Sequence, residues 1–343
     1  MAGTIFGLPF DEELFINMWS EVPDTTRNAI INSGAMVADS NIASQIQHDG
    51  NLYTVPFYNT LSGESLNYDG TADNTPVETD GASQSGIVYG RMKAWMARDF
   101  ASELSGGDPM GHIVATQARY WQKQRQTAMI NILNGVFGIT GTTGNKKKFQ
   151  DNNTTDLASS TATAYEIGIT DINEAITKAA GDNKSAYSLA IMHSSVAKTL
   201  ENKQVLEYWK YTDANGIQRP MNLASVNGLT VIIDDNVPAE ATGGEGANKA
   251  LIKYTTYLLG SGVLRQANAK LEHAVEAERN PEKYGGVDIL YTKIRETIHP
   301  NGFTWKGANS IKSPTNAQLA TAANWDIVFD PKSIAMCRLI TNG

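Results

Sequence analysis

Apolar positions along this chain fall into short blocks whose spacing switches several times between helical and extended. Asp11 to Val22 places Leu14, Phe15, Met18 and Trp19 at i, i+1, i+4 and i+5 with acids at the start, which predicts a short amphipathic helix stopped by Pro23. From His48 to Gly90, Gly, Asn, Asp, Thr and Ser surround two β-type runs, LYTVPFY and GIVYG, and predict a long two-stranded excursion with a polar tip. A loop of that length without its own core is usually functional or packed on a partner. Arg91 to Leu104 (RMKAWMARDFASEL) has a helical pattern that ends before Ser105-Gly106-Gly107. Asp108-Pro109, an acid N-cap followed by proline at the first helical position, opens the strongest helix of the chain. Ile113, Val114, Trp121, Ala128, Ile132 and Val136 lie near one face of it, and Gly135 or Gly138 can end it. At 1.5 Å per residue it is about 40 Å long, the dimension of a structural spine.

Residues 139–164 are Thr- and Asn-rich and read as a polar loop. Beyond them helices and strands mix: a helix from Ile169 to Ala180 ended by Gly181, a buried strand SLAIMH, and a helix SSVAKTLENKQ that Ser194 or Ser195 can cap. Asn227-Gly228 turns into the β-branched run LTVIIDD, and YTTYLL and VDILYTKIRETIH are further strands. Pro300-Asn301-Gly302 turns into FTWKG, and a short helix (TNAQLATAA) precedes the strands NWDIVF and SIAMCRLI. No internal repeat is visible, and the class is α+β with mixed rather than regular βαβ connections.

Charge is segregated along this pattern. Between Arg27 and Arg91 there is no Lys or Arg, whereas Asp39, Asp49, Glu64, Asp69, Asp73, Glu78 and Asp80 all fall there. From Pro109 to Gln150 there is no Asp or Glu, whereas Arg119, Lys123, Arg125, Lys146, Lys147 and Lys148 do. One reading is two solvated faces that differ in sign. The other is an acidic extension of one subunit lying over a basic surface of another, which sets register and orientation in a homo-oligomer. Since a rim ion pair contributes only ~0 to 1 kcal/mol, such charges select partners while apolar burial holds them.

Composition narrows the function. With 28 basic against 36 acidic side chains, the formal charge of −8 argues against a dedicated nucleic-acid binder. The 41% hydrophobic and 19% charged residues describe a globular chain with a core, and no apolar run approaches the ~20 residues of a membrane span. The opening MAGTIFGLPFDEELF has no basic region ahead of an apolar run, so no ordinary secretory signal is expected and assembly in a cytoplasm is. Cys337 is the single cysteine, which excludes an intrachain disulfide and a cysteine zinc cluster. Neither GTTGNKKK nor GGEGANK has phosphate-loop spacing, GASQSG is no nucleophile elbow, and HExxH does not occur. His193 beside Ser194 and Ser195 sits where a strand passes into a helix and reads as a strand end and cap, and Asp234-Asp235 has no second carboxylate or histidine cluster at metal-ligand spacing. Catalytic, cofactor-binding and metal-ligating residues are therefore not assigned.

The segments YSLAIMHSSVAKTLENKQVLEYW, GLTVIIDDNVP, YTTYLLGSGVL, TIHPNGFTWKG and SPTNAQLATAANWDIVFDPKSIAMCRLITN, in that order, resemble the major capsid proteins of tailed bacteriophages. GRMKAWMARDFASELSGGDPM followed by ARYWQKQRQTAMINILNGVF is similar to that family too, so the resemblance spans nearly the whole chain. It implies an N-terminal arm (1–47), an extended E-loop (48–90), a peripheral domain with the spine helix and a polar loop insertion (91–184), an axial domain with a central sheet (185–285) and a return to the peripheral domain (286–343). It implies a shell of hexamers and pentamers around double-stranded DNA, in a virion assembled in the host bacterial cytoplasm. Partners so implied are other copies of the chain, a portal, a separate scaffolding protein, a decoration protein, and weak nonspecific contact with packaged DNA; no cofactor and no membrane are.

In such shells the E-loop of one subunit crosses the peripheral domain of its neighbour. That gives Glu64, Asp69, Asp73, Glu78 and Asp80 a destination, with Arg119, Lys123, Arg125 and Lys146 to Lys148 of an adjacent subunit as candidates. Relatives that weld subunits through an E-loop lysine have no counterpart here, because residues 48–90 contain none. Two other readings stand beside this one: an encapsulin-like nanocompartment shell of the same fold, and, more remotely, a soluble metal-dependent hydrolase using Asp234, Asp235 and a histidine.

Overall fold

Two sheets share one long helix. The computed structural model describes residues 3–5, 8–10, 34–48, 50–59, 61, 63–65, 67, 76, 78–100, 108–158, 164–212, 218–241 and 251–343. The helix expected over Asp11 to Val22 lies outside these residues.

The small sheet is built on one long strand, Val287–Pro300. One of its edges pairs antiparallel with Tyr89–Arg98, from Val287 opposite Arg98 to Glu296 opposite Tyr89. The other edge takes Val275–Asn280 and then Leu264–Asn268, to which Met36–Ala38 adds in parallel. The expectation of a helix from Arg91 onward is therefore corrected: Arg91 to Arg98 are extended, and helical backbone begins only at Asp99. Met92, Trp95 and Met96 carry a helical spacing, but a continuous ladder with the long strand outweighs local preference. The strand also claims Tyr89, so the second hairpin strand is Gly81–Ile87 rather than GIVYG.

The large sheet runs, in spatial order, Thr154–Asp156, Met336–Thr341, Ile252–Gly260, Tyr187–Met192, Leu229–Ile233, Gln218–Val226 and Glu207–Thr212. The central strand Tyr187–Met192 is apolar on both faces because both are covered. Leu189 and Ile191 join the core under the long helix, while Ala190 and Met192 face the helices Asp171–Ala180 and Ser194–Asn202. The Asn227-Gly228 turn has φ of 50° and 80°, the two left-handed residues that a two-residue hairpin requires, and it sets Val226 opposite Leu229.

The long helix spans Pro109–Phe137, and the Asp108 side chain accepts a hydrogen bond from the Gly111 N–H at 2.9 Å, as the Asp-Pro signal predicts. Its first half lies on the small sheet: Trp121 is 1% exposed, donates from Nε1 to Thr292 at 3.2 Å, and meets Trp95 edge-on. Its second half enters the core of the large sheet through Met129, Ile130, Leu133, Val136 and Phe137. Gly138 caps the helix, while Gly135 lies inside it. A side chain at Gly135 would collide with the Leu319 carbonyl and the Trp325 ring, so this glycine lets the helix Asn316–Ala320 approach closely.

The stretch 139–164 is not simply a loop. Gly144–Asn153 is helical and Thr154–Asp156 adds to the edge of the large sheet. Phe149 is 1% exposed and joins a ring stack with Phe137, and the buried Asn153 amide donates to the Met336 carbonyl at 2.7 Å. One aromatic and one amide anchor a segment whose composition otherwise favours a loop. The chain also crosses between sheets more often than segment boundaries at 185 and 286 allow: Leu264–Asn268 and Val275–Asn280 lie in the small sheet, and Met336–Thr341 lies in the large one.

Candidate assembly surface

The acidic excursion is a hairpin of Leu52–Tyr58 and Gly81–Ile87, paired from Leu52 opposite Ile87 to Tyr58 opposite Gly81. Its root is bolted to the body. Tyr53 is buried, with its hydroxyl 2.9 Å from that of Thr297 on the long strand. The buried Gln84 side chain donates to Asn301 at 3.1 Å and accepts from the Gly302 N–H at 2.9 Å. The Ser85 N–H donates to Thr304, and Phe57 meets Phe329 edge-on at 4.6 Å. Arg295 donates to the Gly50 carbonyl and to Asn51, closing the root from the other side.

Toward the tip these ties stop. Tyr58 is 81% and Leu61 82% exposed, apolar area that nothing in the chain covers among the described residues. Glu64, Glu78 and Asp80 are exposed. Asp80 steadies the mouth of the hairpin, accepting from the Asn59 side chain at 3.0 Å while its carbonyl accepts the Asn59 N–H. Asp69 and Asp73 lie outside the described residues.

The cations separate into two kinds. Arg125 points inward, its Nε 2.8 Å from Glu296, whose other oxygen accepts from the Tyr89 hydroxyl at 3.1 Å. Glu296 is buried, so Arg125 neutralises a carboxylate of its own sheet. Lys146 lies 3.0 Å from Asp326, which also binds Lys306. Burial alone would raise the Asp326 carboxyl, but Lys306, Lys146 and the Ile327 N–H together hold it below the usual carboxylate range. Lys147 pairs with Asp151 one helical turn on at 2.7 Å. Arg119, Lys123 and Lys148 are exposed, as is the paired Lys147, and together these are the outward charges of the basic stretch.

One surface has no counterpart in the sequence reading. Met92 and Met96, 82% and 54% exposed, project from the small sheet opposite the long helix, beside Ile289 and Tyr291 of the long strand. Glu276 and Glu278 border them, held by Lys293 at 3.0 Å and by the Tyr291 hydroxyl at 3.1 Å. The signal for this face is the alternation of Met92, Ala94 and Met96 against Trp95 and Ala97, which a helical reading of the same segment conceals.

The residues weighed for chemistry hold structure instead. The His193 ring accepts from the Ser195 N–H at 3.1 Å and so caps the following helix itself, in place of the serines. Asp235 accepts from Ser194; these hydrogen bonds, with the nearby His193, keep its carboxyl below the usual range. Asp234 is buried and turns the chain, accepting from the Asn236 N–H at 2.9 Å and from the Gln126 side chain of the long helix. Among the described residues no group of three or more His, Cys, Asp or Glu side chains is placed to hold a metal ion.

A family model described as major capsid protein 13-like (Gp13-like) matches residues 122–336. The chain is 29% identical over 313 residues to the major capsid protein of Bacillus phage SPP1, covering 90% of each. Among solved structures it is similar to the capsid asymmetric unit of cyanophage Pam1, with a TM-score of 0.55 at 9% identity over 93% of both chains. It is also similar to the capsid of Ralstonia phage GP4, with a TM-score of 0.53 at 14% identity over 78% of this chain and 82% of that one. At such identities the structural likeness speaks for the fold, which is that of phage capsids.

Proposed function

This chain belongs to the Gp13-like family of major capsid proteins and forms the icosahedral head shell of a phage virion by self-association, and from that premise we propose that the acidic hairpin is its E-loop and selects the neighbouring subunit. The observation that carries this reading is the contrast along the hairpin: a root fixed by Tyr53, Gln84 and Ser85, and an outer end where Tyr58 and Leu61 stay bare among acids. Apolar area at ~25 cal/mol per Å² supplies the holding free energy once a neighbour covers it. The acids Glu64, Asp69, Asp73, Glu78 and Asp80 then favour a basic receiving surface. Arg119, Lys123 and Lys148 are its first candidates, because Arg125, Lys146 and Lys147 are engaged within the chain.

The finer partners belong to the same proposal. Hexamers and pentamers of the chain enclose double-stranded DNA, are joined by a portal and a separate scaffolding protein, accept a decoration protein, and assemble in the bacterial cytoplasm. The packaged DNA touches the wall only weakly: a chain of charge −8 offers few phosphate contacts, and a strongly basic lining would hold the genome against movement during packaging.

Electron microscopy with light scattering on the purified chain, alone and with its genomic neighbours, tests the reading. Uniform shells or tubes are expected, and Asp73→Lys with Glu78→Lys should lower their yield and change its salt dependence. Unchanged yield and salt dependence in that variant would sink the role given to the hairpin acids. DNA absorbance in native particles is expected; shells loaded with a protein cargo would favour a nanocompartment.

A further inference from the structure

Where the hairpin root meets the small sheet, a histidine is buried without a hydrogen-bond partner among the described residues. His299 is 1% exposed, and neither ring nitrogen has a hydrogen-bond partner among the described residues. Its ring packs edge-on against Tyr53 of the hairpin, centroids 5.8 Å apart. By strand alternation it shares a face with Thr297 and Arg295, both of which bind the hairpin root. Its cross-strand neighbour is Arg265, which lies 2.9 Å from Asp39. Asp39 in turn receives the Asn41 and Ile42 N–H groups that open the helix Ser40–His48. Three pieces therefore converge here: hairpin, short helix and sheet, packed through Ile42, Ile46, Tyr53, Val88, Ala267 and Ala269.

The charged or titratable groups facing this ring are Tyr53 from the hairpin and Arg265 with its partner Asp39 from the neighbouring strand and short helix; Arg295, four residues back on its own strand, is taken up by Gly50 and Asn51. Asp39 is already neutralised by Arg265, so a proton on His299 would meet an adjacent cation and no free carboxylate. Its two N–H donors would also be left without acceptors among the described residues. A neutral ring leaves one donor and one acceptor unpaired; a charged one adds a second unpaired donor and a buried charge beside a cation, and costs more.

We propose that His299 is an acid-sensitive latch at the hairpin root: taking up a proton there parts the hairpin and the helix Ser40–His48 from the small sheet while the large sheet stays folded. Burial, with Arg265 adding to it, pulls the ring down to about 3, against an ordinary value of 6.5. The open form binds the proton more tightly than the closed one. Its population relative to the closed form therefore rises about tenfold for each pH unit below about 6.5, flattening near pH 3. In a shell, loosened roots would slacken the contacts made by the hairpins. That consequence rests on the function proposed above, whereas the latch rests on this chain's own packing.

Hydrogen exchange of the full-length protein in assembled particles, corrected for intrinsic exchange rates, tests it between pH 7.5 and 4.5. Protection of residues 40–48 and 52–58 should fall about 50-fold from pH 6.5 to 4.5 relative to the central strand 187–192, and His299→Gln should flatten that fall. An equal fall in His299→Gln, or none in the unaltered chain, would overturn the proposal. Should the variant fail to assemble, histidine-labelled solid-state NMR on unaltered particles decides: of the 5 histidines, one should remain neutral to about pH 4 wherever the root is closed. Titration of every imidazole near 6.5 in closed particles would refute the latch. The hairpin-charge variants probe the receiving neighbour and leave this readout unaffected, so failure of either idea is distinguishable from failure of the other.

Discussion

The long helix and the hairpin are both extended and each carries charge of mainly one sign, but they are held in opposite ways. The helix is fixed along its length: Trp121 against one sheet, Leu133 and Val136 inside the other, and Arg125 turned in to Glu296. The hairpin is fixed at one end, and at the other Tyr58 and Leu61 face outward with Glu64, Glu78 and Asp80. Segregated charge thus has two meanings in one chain. Part of the basic stretch completes the subunit's own core, while Glu64, Glu78 and Asp80 of the hairpin stay exposed on the subunit.

Breaking the helix should have the largest effect. Trp121→Ala removes a buried indole that fills the joint with the small sheet and should cost about 3–5 kcal/mol in chemical denaturation, with shell yield lost as a result. Glu296→Ala comes next. It strands Arg125 and the buried Tyr89 hydroxyl and should cost about 3 kcal/mol, and adding Arg125→Ala should restore part of this in a double-mutant cycle. Asp108→Ala removes the cap of the long helix for about 1 kcal/mol, read as a small shift in the denaturation midpoint. Glu78→Lys sharpens the contrast from the other side: subunit stability should change by less than about 0.5 kcal/mol, while assembly yield and its salt dependence change visibly. Should Glu78→Lys destabilise the isolated subunit as much as Glu296→Ala, the division between inward and outward charge would be false.

Much of this was readable from residue order. The Asp108-Pro109 signal opens the long helix where it begins, the Asn227-Gly228 pair makes its hairpin, and the alternating and β-branched runs mark the strands of both sheets. The failures share a cause in long-range contact. Tyr89–Arg98 is extended because Val287–Pro300 lies beside it, a fact that local spacing of Met92, Trp95 and Met96 cannot contain. Gly144–Asn153 is anchored by Phe149 meeting Phe137, one contact among many polar residues. For the assembly surface, composition located the acids and cations but could not say which cations face inward. Arg125 and Arg119 look alike in sequence, and only the position of Glu296 on the long strand separates them. His299 likewise gives no sign of burial, since its neighbours in the chain, Ile298 and Pro300, fit an exposed strand end as well.

The most direct test of the account is cryo-electron microscopy of the assembled shell at side-chain resolution. The hairpin beyond Tyr58 should lie across the adjacent subunit, with Tyr58 and Leu61 covered and the acids of residues 64–80 facing Arg119, Lys123 or Lys148 of that neighbour. A hairpin folded against its own subunit, or one whose tip stands in solvent away from the neighbour's cations, would contradict it.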